Sequence, residues 1–364
     1  MRTLAIVAVF SLSWLGRAAE APRPPSVRVD DLYAVARSLE IQPLPARPDW
    51  ATGPEPPWLV FAWMSDFHLD GGERTPMIRA ACHTVRDTIK PHFALFTGDN
   101  CAWDPPVSGA RAKLPQSERR HLAFRDFLDA ELGIPAAVLP GDNWPWDSEK
   151  VFGATRFSFD AAGLHLVFLS PDRRAAGAEG CAVFEPATWQ WLAQDLQANR
   201  ERPTLIAMHE NLVPPAFLEA PRLAEFLRTQ PQVLATLTGH LHLDLEFRRN
   251  GLTHVLCPAL AAGARPGFKV VSLYPDRLVL NTWEYDTGGR RFTSTLKWQR
   301  IEIPEGPLRR ALGPVDCRRL LRENRNEMPA VPLVRDQALL QRQGELVLPM
   351  LQFVMQMGMQ TMAP

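Results

Sequence analysis

Five apolar runs in this chain each end on a short polar cluster, and that pattern constrains the fold more than any bulk property. WLVFAWM runs into SDFHLD, HFALF into TGDN, IPAAVL into PGDNW, TLIAM into HEN, and VLATL into TGHLH. Short apolar runs bounded by turn residues read as buried strands. Between them lie segments with helical periodicity: TPMIRAACHTVRDTIKP, QSERRHLAFRDFLDAEL, PATWQWLAQDLQANRERP and APRLAEFLRTQP. In the third of these Trp189, Leu192 and Leu196 share one face. RFSFD and LHLVFLS, joined across AAG, predict a hairpin. LEFRRNG, THVLCPAL, FKVVSLYPD and LVLNTWEYD extend a strand-rich stretch to Asp286, where the core is expected to end. Strands alternating with helices in this way predict a layered α/β domain over residues 57–286.

The flanks differ in character. Arg2 precedes TLAIVAVFSLSWLG and then the small residues of RAAEA, the order of a secretory leader, so residues 1–21 are expected to direct export to a periplasm or medium. The apolar stretch, ~14 residues, falls short of the ~20 that a spanning helix needs. Residues 22–56 are a proline-rich lead-in. Residues 287–364 form a partly helical extension with arginines at 309, 310, 318, 319, 322 and 325 and methionines at 350, 355, 357, 359 and 362. Packing of that extension on the domain is expected, with contact to a partner or membrane surface as the alternative use of a methionine-rich face.

Lys plus Arg equals Asp plus Glu at 40 each, so no whole-protein field draws in nucleic acid, and a small substrate must be recognised locally. The five cysteines, Cys82, Cys101, Cys181, Cys257 and Cys317, form no CxxC pair, which leaves a zinc knuckle unsupported. Up to two disulfides and buried free thiols are both open readings.

Chemistry concentrates just past the apolar runs, where open α/β sheets place their sites. The candidates are Asp66 and His68, Asp99, Asp142 and Asn143, His209, and His240 with His242. A D-x-H pair leaving a strand is expected to aim both side chains one way, since residues i and i+2 share a face. Carboxylates and imidazoles together suit Mn, Fe, Zn or Ni. Four of the nine histidines occupy these places, while His83, His92, His121, His165 and His254 fall within or beside predicted helices and strands. Trp103, Trp144 and Trp146 follow the second and third motifs and either line a pocket or pack the loops down.

The order D-x-H, GD, a third glycine motif, H and GHxH resembles the calcineurin-like metallophosphoesterase family. That resemblance implies a two-sheet β-sandwich flanked by helices. It implies that Asp66, His68, Asp99 and His242 hold one divalent ion, and that Asp99, the third-motif residue, His209 and His240 hold the other. Asp99, Asn143 and His209 would bear most directly on catalysis. The implied reaction is hydrolysis of a phosphomonoester or phosphodiester by in-line attack of a metal-bridging hydroxide, the two cations offsetting charge and lowering the pKa of water.

The third motif departs from the family's GNH followed by Asp or Glu. Here Gly141, Asp142, Asn143 and Trp144 leave either Asp142 or Asn143 as the ligand, Asn143 being favoured for its matching chemistry, and the histidine is missing in both registers. General acid catalysis typically contributes ~10² to 10⁴ in rate, so turnover is expected to be low or confined to good leaving groups. The runner-up is a protein that keeps its metals and binds without efficient catalysis. An exported structural domain with fortuitous motifs is the third reading. Purple acid phosphatases are disfavoured because Tyr33, Tyr274 and Tyr285 are remote from GD, and Ser/Thr phosphatases because GDNCAWDPP carries no arginine.

Overall fold

The computed structural model describes residues 40–41, 51, 55–213, 215–249, 251–261, 265–314 and 325–342. The expected leader, most of the lead-in, Cys317 and the methionine-rich end lie outside the described residues. The strands are β1 (Glu40–Ile41), β2 (Leu59–Met64), β3 (Phe93–Phe96), β4 (Ala136–Val138), β5 (Phe157–Ala161), β6 (Leu164–Phe168), β7 (Arg173–Ala175), β8 (Ala178–Val183), β9 (Thr204–Ala207), β10 (Val233–Thr238), β11 (Leu245–Arg249), β12 (Leu252–Leu256), β13 (Gly267–Leu273), β14 (Arg277–Asp286), β15 (Arg291–Glu302), β16 (Arg325–Glu327) and β17 (Val334–Arg335). The helices are α1 (Thr75–His83), α2 (Gln116–Glu131), α3 (Glu149–Phe152), α4 (Pro186–Ala198), α5 (Ala220–Arg228) and α6 (Pro307–Arg310). A π-helical stretch, Thr84–Ile89, continues α1.

Two mixed sheets carry the core. One runs β1-β11-β12-β10-β9-β6-β5-β16 and the other β15-β14-β13-β2-β3-β4. In β2 the side chains alternate as a strand with two covered faces demands: Leu59, Phe61 and Trp63 join Phe93, Phe159, Leu166, Leu205 and Leu237 in a core between the sheets. Ala62 and Met64 face the other way, toward Ile78 and Ala81 of α1 and Phe124 and Leu128 of α2. On the outer face of the eight-stranded sheet, Val167 and Ile206 meet Leu192 and Leu196 of α4 and Leu223 and Leu227 of α5. The result is the two-sheet α/β sandwich with flanking helices that the sequence resemblance implies. No helix among the described residues is long and apolar enough to cross a membrane.

Asp286 does not end the core. β15 pairs with β14 from Arg291 through Glu302, and Ile301 and Ile303 enter the space between the sheets. The strand was hidden because it is a sheet edge, where only alternate positions are covered and FTSTLKWQR reads as polar. Part of the extension also folds back: β16 pairs with β5, β17 with β7, and Leu339 is buried with Ala175, Cys181 and Val183. The β7–β8 hairpin itself carried no pattern that announced it. Cys82, Cys101, Cys181 and Cys257 are buried free thiols, so none of these four forms a disulfide.

Candidate metal centre

The parallel strands β2, β3 and β4 in one sheet and β9 and β10 in the other deliver their following loops to one place. Pairing continues past the strand ends as single bonds. The Asp66 N–H donates to Gly98 O at 3.0 Å, His68 N–H to Asp99 O at 2.9 Å, Asp99 N–H to Pro140 O at 3.1 Å and Gly239 N–H to His209 O at 3.1 Å. Loops that would otherwise move independently are thus stitched into one floor.

The paired motifs converge by a different geometry from the one expected. β2 ends at Met64 and β10 at Thr238, so neither pair lies on extended strand. Asp66, His68, Asp99, His240 and His242 instead have φ of +53°, +42°, +52°, +65° and +57°, five of the nine described non-glycine residues with positive φ. A left-handed conformation costs an L-residue roughly 1–2 kcal/mol, least for Asp, Asn and His. Such strain gathers where function demands it.

Two glycines make the approach possible. A Cβ on Gly141 would stand 2.2 Å from Asp99 N, and one on Gly239 would stand 2.6 Å from Asp66 Oδ2. Any side chain at either place would push a carboxylate-bearing loop away.

The side chains fall into two groups with Asp99 between them. In the first, His242 Nε2 lies 3.1 Å and His68 Nε2 3.9 Å from Asp66 Oδ1. In the second, Asp142 Oδ1 lies 3.0 Å from His209 Nε2 and 3.4 Å from His240 Nδ1. Asp99 Oδ2 is 3.8 Å from His68 Nε2 and 3.5 Å from His209 Nε2, so it reaches both. Asp99 Oδ1 accepts the N–H groups of Asp142 and Asn143 at 3.1 and 3.0 Å.

At the third motif Asp142 meets the imidazoles of His209 and His240, whereas the favoured Asn143 meets the Asp99 carboxylate. Asn143 is exposed and its amide donates to Asp99 Oδ2. Sequence offered two registers, and only the turn at Gly141 decides between them.

The residues fit a metal. Ligands of one Zn-like ion at about 2.1 Å stand roughly 3–3.5 Å apart, and the separations above bracket that range. His68 Nε2 is buried without a hydrogen-bond partner, pointing between two carboxylates. His209 Nδ1 donates to Thr97 O at 2.9 Å, which turns Nε2 to the cluster, the outer-shell arrangement typical of ligating histidines.

Burial disfavours charge on Asp66, Asp142, His68, His209 and His240, yet the opposite charges win. Asp66 is held well below the usual carboxylate range by His242, His68 and His209, and Asp142 by His240 and His209. Burial lowers His209, His68 and His240, but the neighbouring aspartates raise each above an ordinary imidazole.

Of the other expected residues, Trp144 packs edge-on against His68 with centroids 5.4 Å apart. Trp103 covers Gly71 and lines a cavity of about 250 Å³ with Pro105, Val107, Leu122 and Phe127. Trp146 lies under Arg335. The five remaining histidines have partners elsewhere: His83 meets Glu131, His92 the β2 backbone, His121 the carbonyl of Trp146, His165 two aspartates and His254 the hydroxyl of Thr236. Burial pushes His121 down to about 4 and His254 to about 3, as befits neutral structural rings. Sequence reasoning missed Arg174, Glu210, Asp244 and Lys269. They carry charge into the interior beside the site, and only the adjacency of Glu210 to His209 and of Asp244 to His242 hinted at them.

No family model matches this chain, and no curated protein matches it. Solved structures give distant likenesses. A Vps29 from Entamoeba histolytica is 13% identical over 68% of this chain and 100% of its own, with a TM-score of 0.36. GAP50, the anchor in the inner membrane complex of Plasmodium, is 13% identical over 79% and 94%, at 0.42. An archaeal phosphodiesterase is 11% identical over 67% and 100%, at 0.33. Likenesses this remote carry no argument about activity, which rests on the geometry above.

Proposed function

We propose that the chain is a two-metal phosphoesterase of the calcineurin-like kind. The observation that supports it most is the split of seven side chains into two ion-sized groups joined by Asp99. Asp66, His68 and His242 would hold one divalent ion, Asp142, His209 and His240 the other, and Asp99 would face both. Ions so placed supply charge neutralisation at phosphorus and a lowered pKa for water.

The chain's own residues do the rest. Thr97 O holds the His209 imidazole, and the close Gly98–Gly141 approach holds Asp99, before substrate arrives. The Asn143 amide donates to Asp99 Oδ2 and so helps fix the carboxylate that faces both groups. Overall, water adds its oxygen to phosphorus, the bond from phosphorus to the leaving oxygen breaks, and that oxygen keeps the electron pair and takes a proton.

The second reading, a metal-retaining protein with little turnover, has one observation in its favour. Among the described residues no imidazole beyond the four in the two groups touches the cluster, so no further histidine stands ready as general acid. The purified mature chain, loaded with Mn²⁺, should bind two ions and release nitrophenolate from 4-nitrophenyl or bis(4-nitrophenyl) phosphate. Two ions with no release from either ester would leave only the second reading.

A further inference from the structure

Resting on the two-ion reading, the charge of the centre narrows its substrate. Asp66, Asp99 and Asp142 bring three carboxylates to the cluster, and each touches an imidazole of the ion-facing set. Three negative charges against the four of two divalent ions leave one positive charge. A carboxamide in place of Asp142 would leave two. The third motif thus sets its charged residue, Asp142, against the imidazole of His209, while its neutral one, Asn143, adds no charge and donates to Asp99 Oδ2.

Nearby cations do not restore the difference. Arg174 Nη1 faces Glu210 at 2.5 Å, and Lys269 Nζ faces Asp244 at 2.5 Å, with Arg174, Glu210 and Lys269 buried and Asp244 partly so. The Asn143 amide donates to Asp99 and brings no charge. A phosphodiester carries one negative charge at any pH near neutrality, whereas a monoester carries close to two, its second pKa being about 6.

We propose that Asp142 tunes this centre to singly charged phosphodiesters over doubly charged monoesters. Hydrolysis then stops after one step. Water's oxygen bonds to phosphorus, one ester P–O bond breaks, and its electron pair leaves on the departing oxygen, which takes a proton from the water. The monoester product sheds its remaining proton and gains a second charge, which one net positive charge does not neutralise.

The test compares bis(4-nitrophenyl) phosphate with 4-nitrophenyl phosphate on the Mn²⁺-loaded chain, with metal content and inorganic phosphate affinity measured alongside. The wild type should favour the diester by about tenfold or more in kcat/KM, and 4-nitrophenyl phosphate should accumulate. Asp142→Asn, if it keeps both ions, should move the ratio toward the monoester and bind phosphate about tenfold more tightly by calorimetry. Should Asp142→Asn lose an ion, Asn143→Asp decides instead: one added carboxylate should weaken phosphate binding about tenfold. Preference for the monoester, release of both nitrophenolates at similar rates, or phosphate affinity indifferent to these charges would overturn the proposal. Failure to cleave either ester with phosphate binding still charge-dependent would count against the hydrolase reading and leave the charge assignment standing.

Discussion

Arg174 and Glu210 meet at 2.5 Å with neither side chain exposed to solvent, and Glu210 is the residue next to His209. The guanidinium also donates to Glu179 O at 3.0 Å and to Ser170 Oγ at 3.2 Å. One buried cation therefore ties the β7–β8 hairpin to the loop that carries a metal-facing imidazole. Removing one partner of a buried pair leaves the other charge uncompensated, which typically costs about 3–5 kcal/mol, whereas apolar replacement of both can be close to neutral. Glu210→Gln should lower stability by about that amount in urea denaturation. The double variant Arg174→Met with Glu210→Leu should recover most of it while metal affinity on the His209 side falls.

A matching anchor lies behind the GHLH turn. Lys269 Nζ bonds Asp244 Oδ1 at 2.5 Å, Thr282 Oγ1 at 3.1 Å and Gln299 Oε1 at 2.9 Å, and Asp244 is two residues past His242. Outer-shell partners of ligands typically contribute 10- to 100-fold in metal affinity. Lys269→Met should therefore weaken metal binding by roughly 10-fold or more in a competition titration with a chromogenic chelator. A variant that folds and binds metal as the wild type does would show that the anchor is structural only.

These two anchors mark the limit of what the sequence discloses. Asp66, His68, Asp99, His209, His240 and His242 were legible because each follows an apolar run, and strand ends are local signals. The strands and helices were legible for the same reason, period 2 and period 3.6 being properties of short windows. Arg174 pairs with a residue 36 places on, and Lys269 with one 25 places back. No short window holds both partners, and a lone Arg or Lys in a polar stretch reads as surface. The choice between Asp142 and Asn143 was illegible for a subtler reason. It depends on a backbone turn of one residue at Gly141, and neighbouring residues of like chemistry do not report which way such a turn is taken.

Stability should fall on the alkaline side through His165. Burial lowers this imidazole, but hydrogen bonds from Nδ1 to Asp160 at 2.7 Å and from Nε2 to Asp195 at 2.8 Å raise it above an ordinary histidine. Asp195 also accepts from Ser158 and Asn326, both at 2.9 Å, and Asp160 meets Arg202. A raised folded pKa gives stability that is fully present below the unfolded value of about 6.5 and is lost as pH rises through the folded one. Urea denaturation across pH 5.5 to 9 should show that loss, and His165→Gln, less stable throughout, should lessen its slope, His68, His209 and His240 being raised as well. An unchanged slope in the variant would place the titrating group elsewhere.

The close approach at the centre separates two glycines that share a backbone conformation. Gly141 has φ +86° and Gly133 φ +65°, but a Cβ on Gly141 would meet Asp99 N at 2.2 Å while one on Gly133 would meet nothing within 4 Å. Alanine at Gly133 incurs only the left-handed conformation and should cost about 1 kcal/mol. Alanine at Gly141 incurs that cost and must also displace the backbone that holds Asp99, whose carboxylate faces His68 and His209 together. Gly133→Ala should bind metal as the wild type does, and Gly141→Ala should lose it even at temperatures where circular dichroism shows the fold intact. Equal metal binding by the two variants would mean that Asp99 can shift without loss, and with it would go the argument that this carboxylate joins the two halves of the centre.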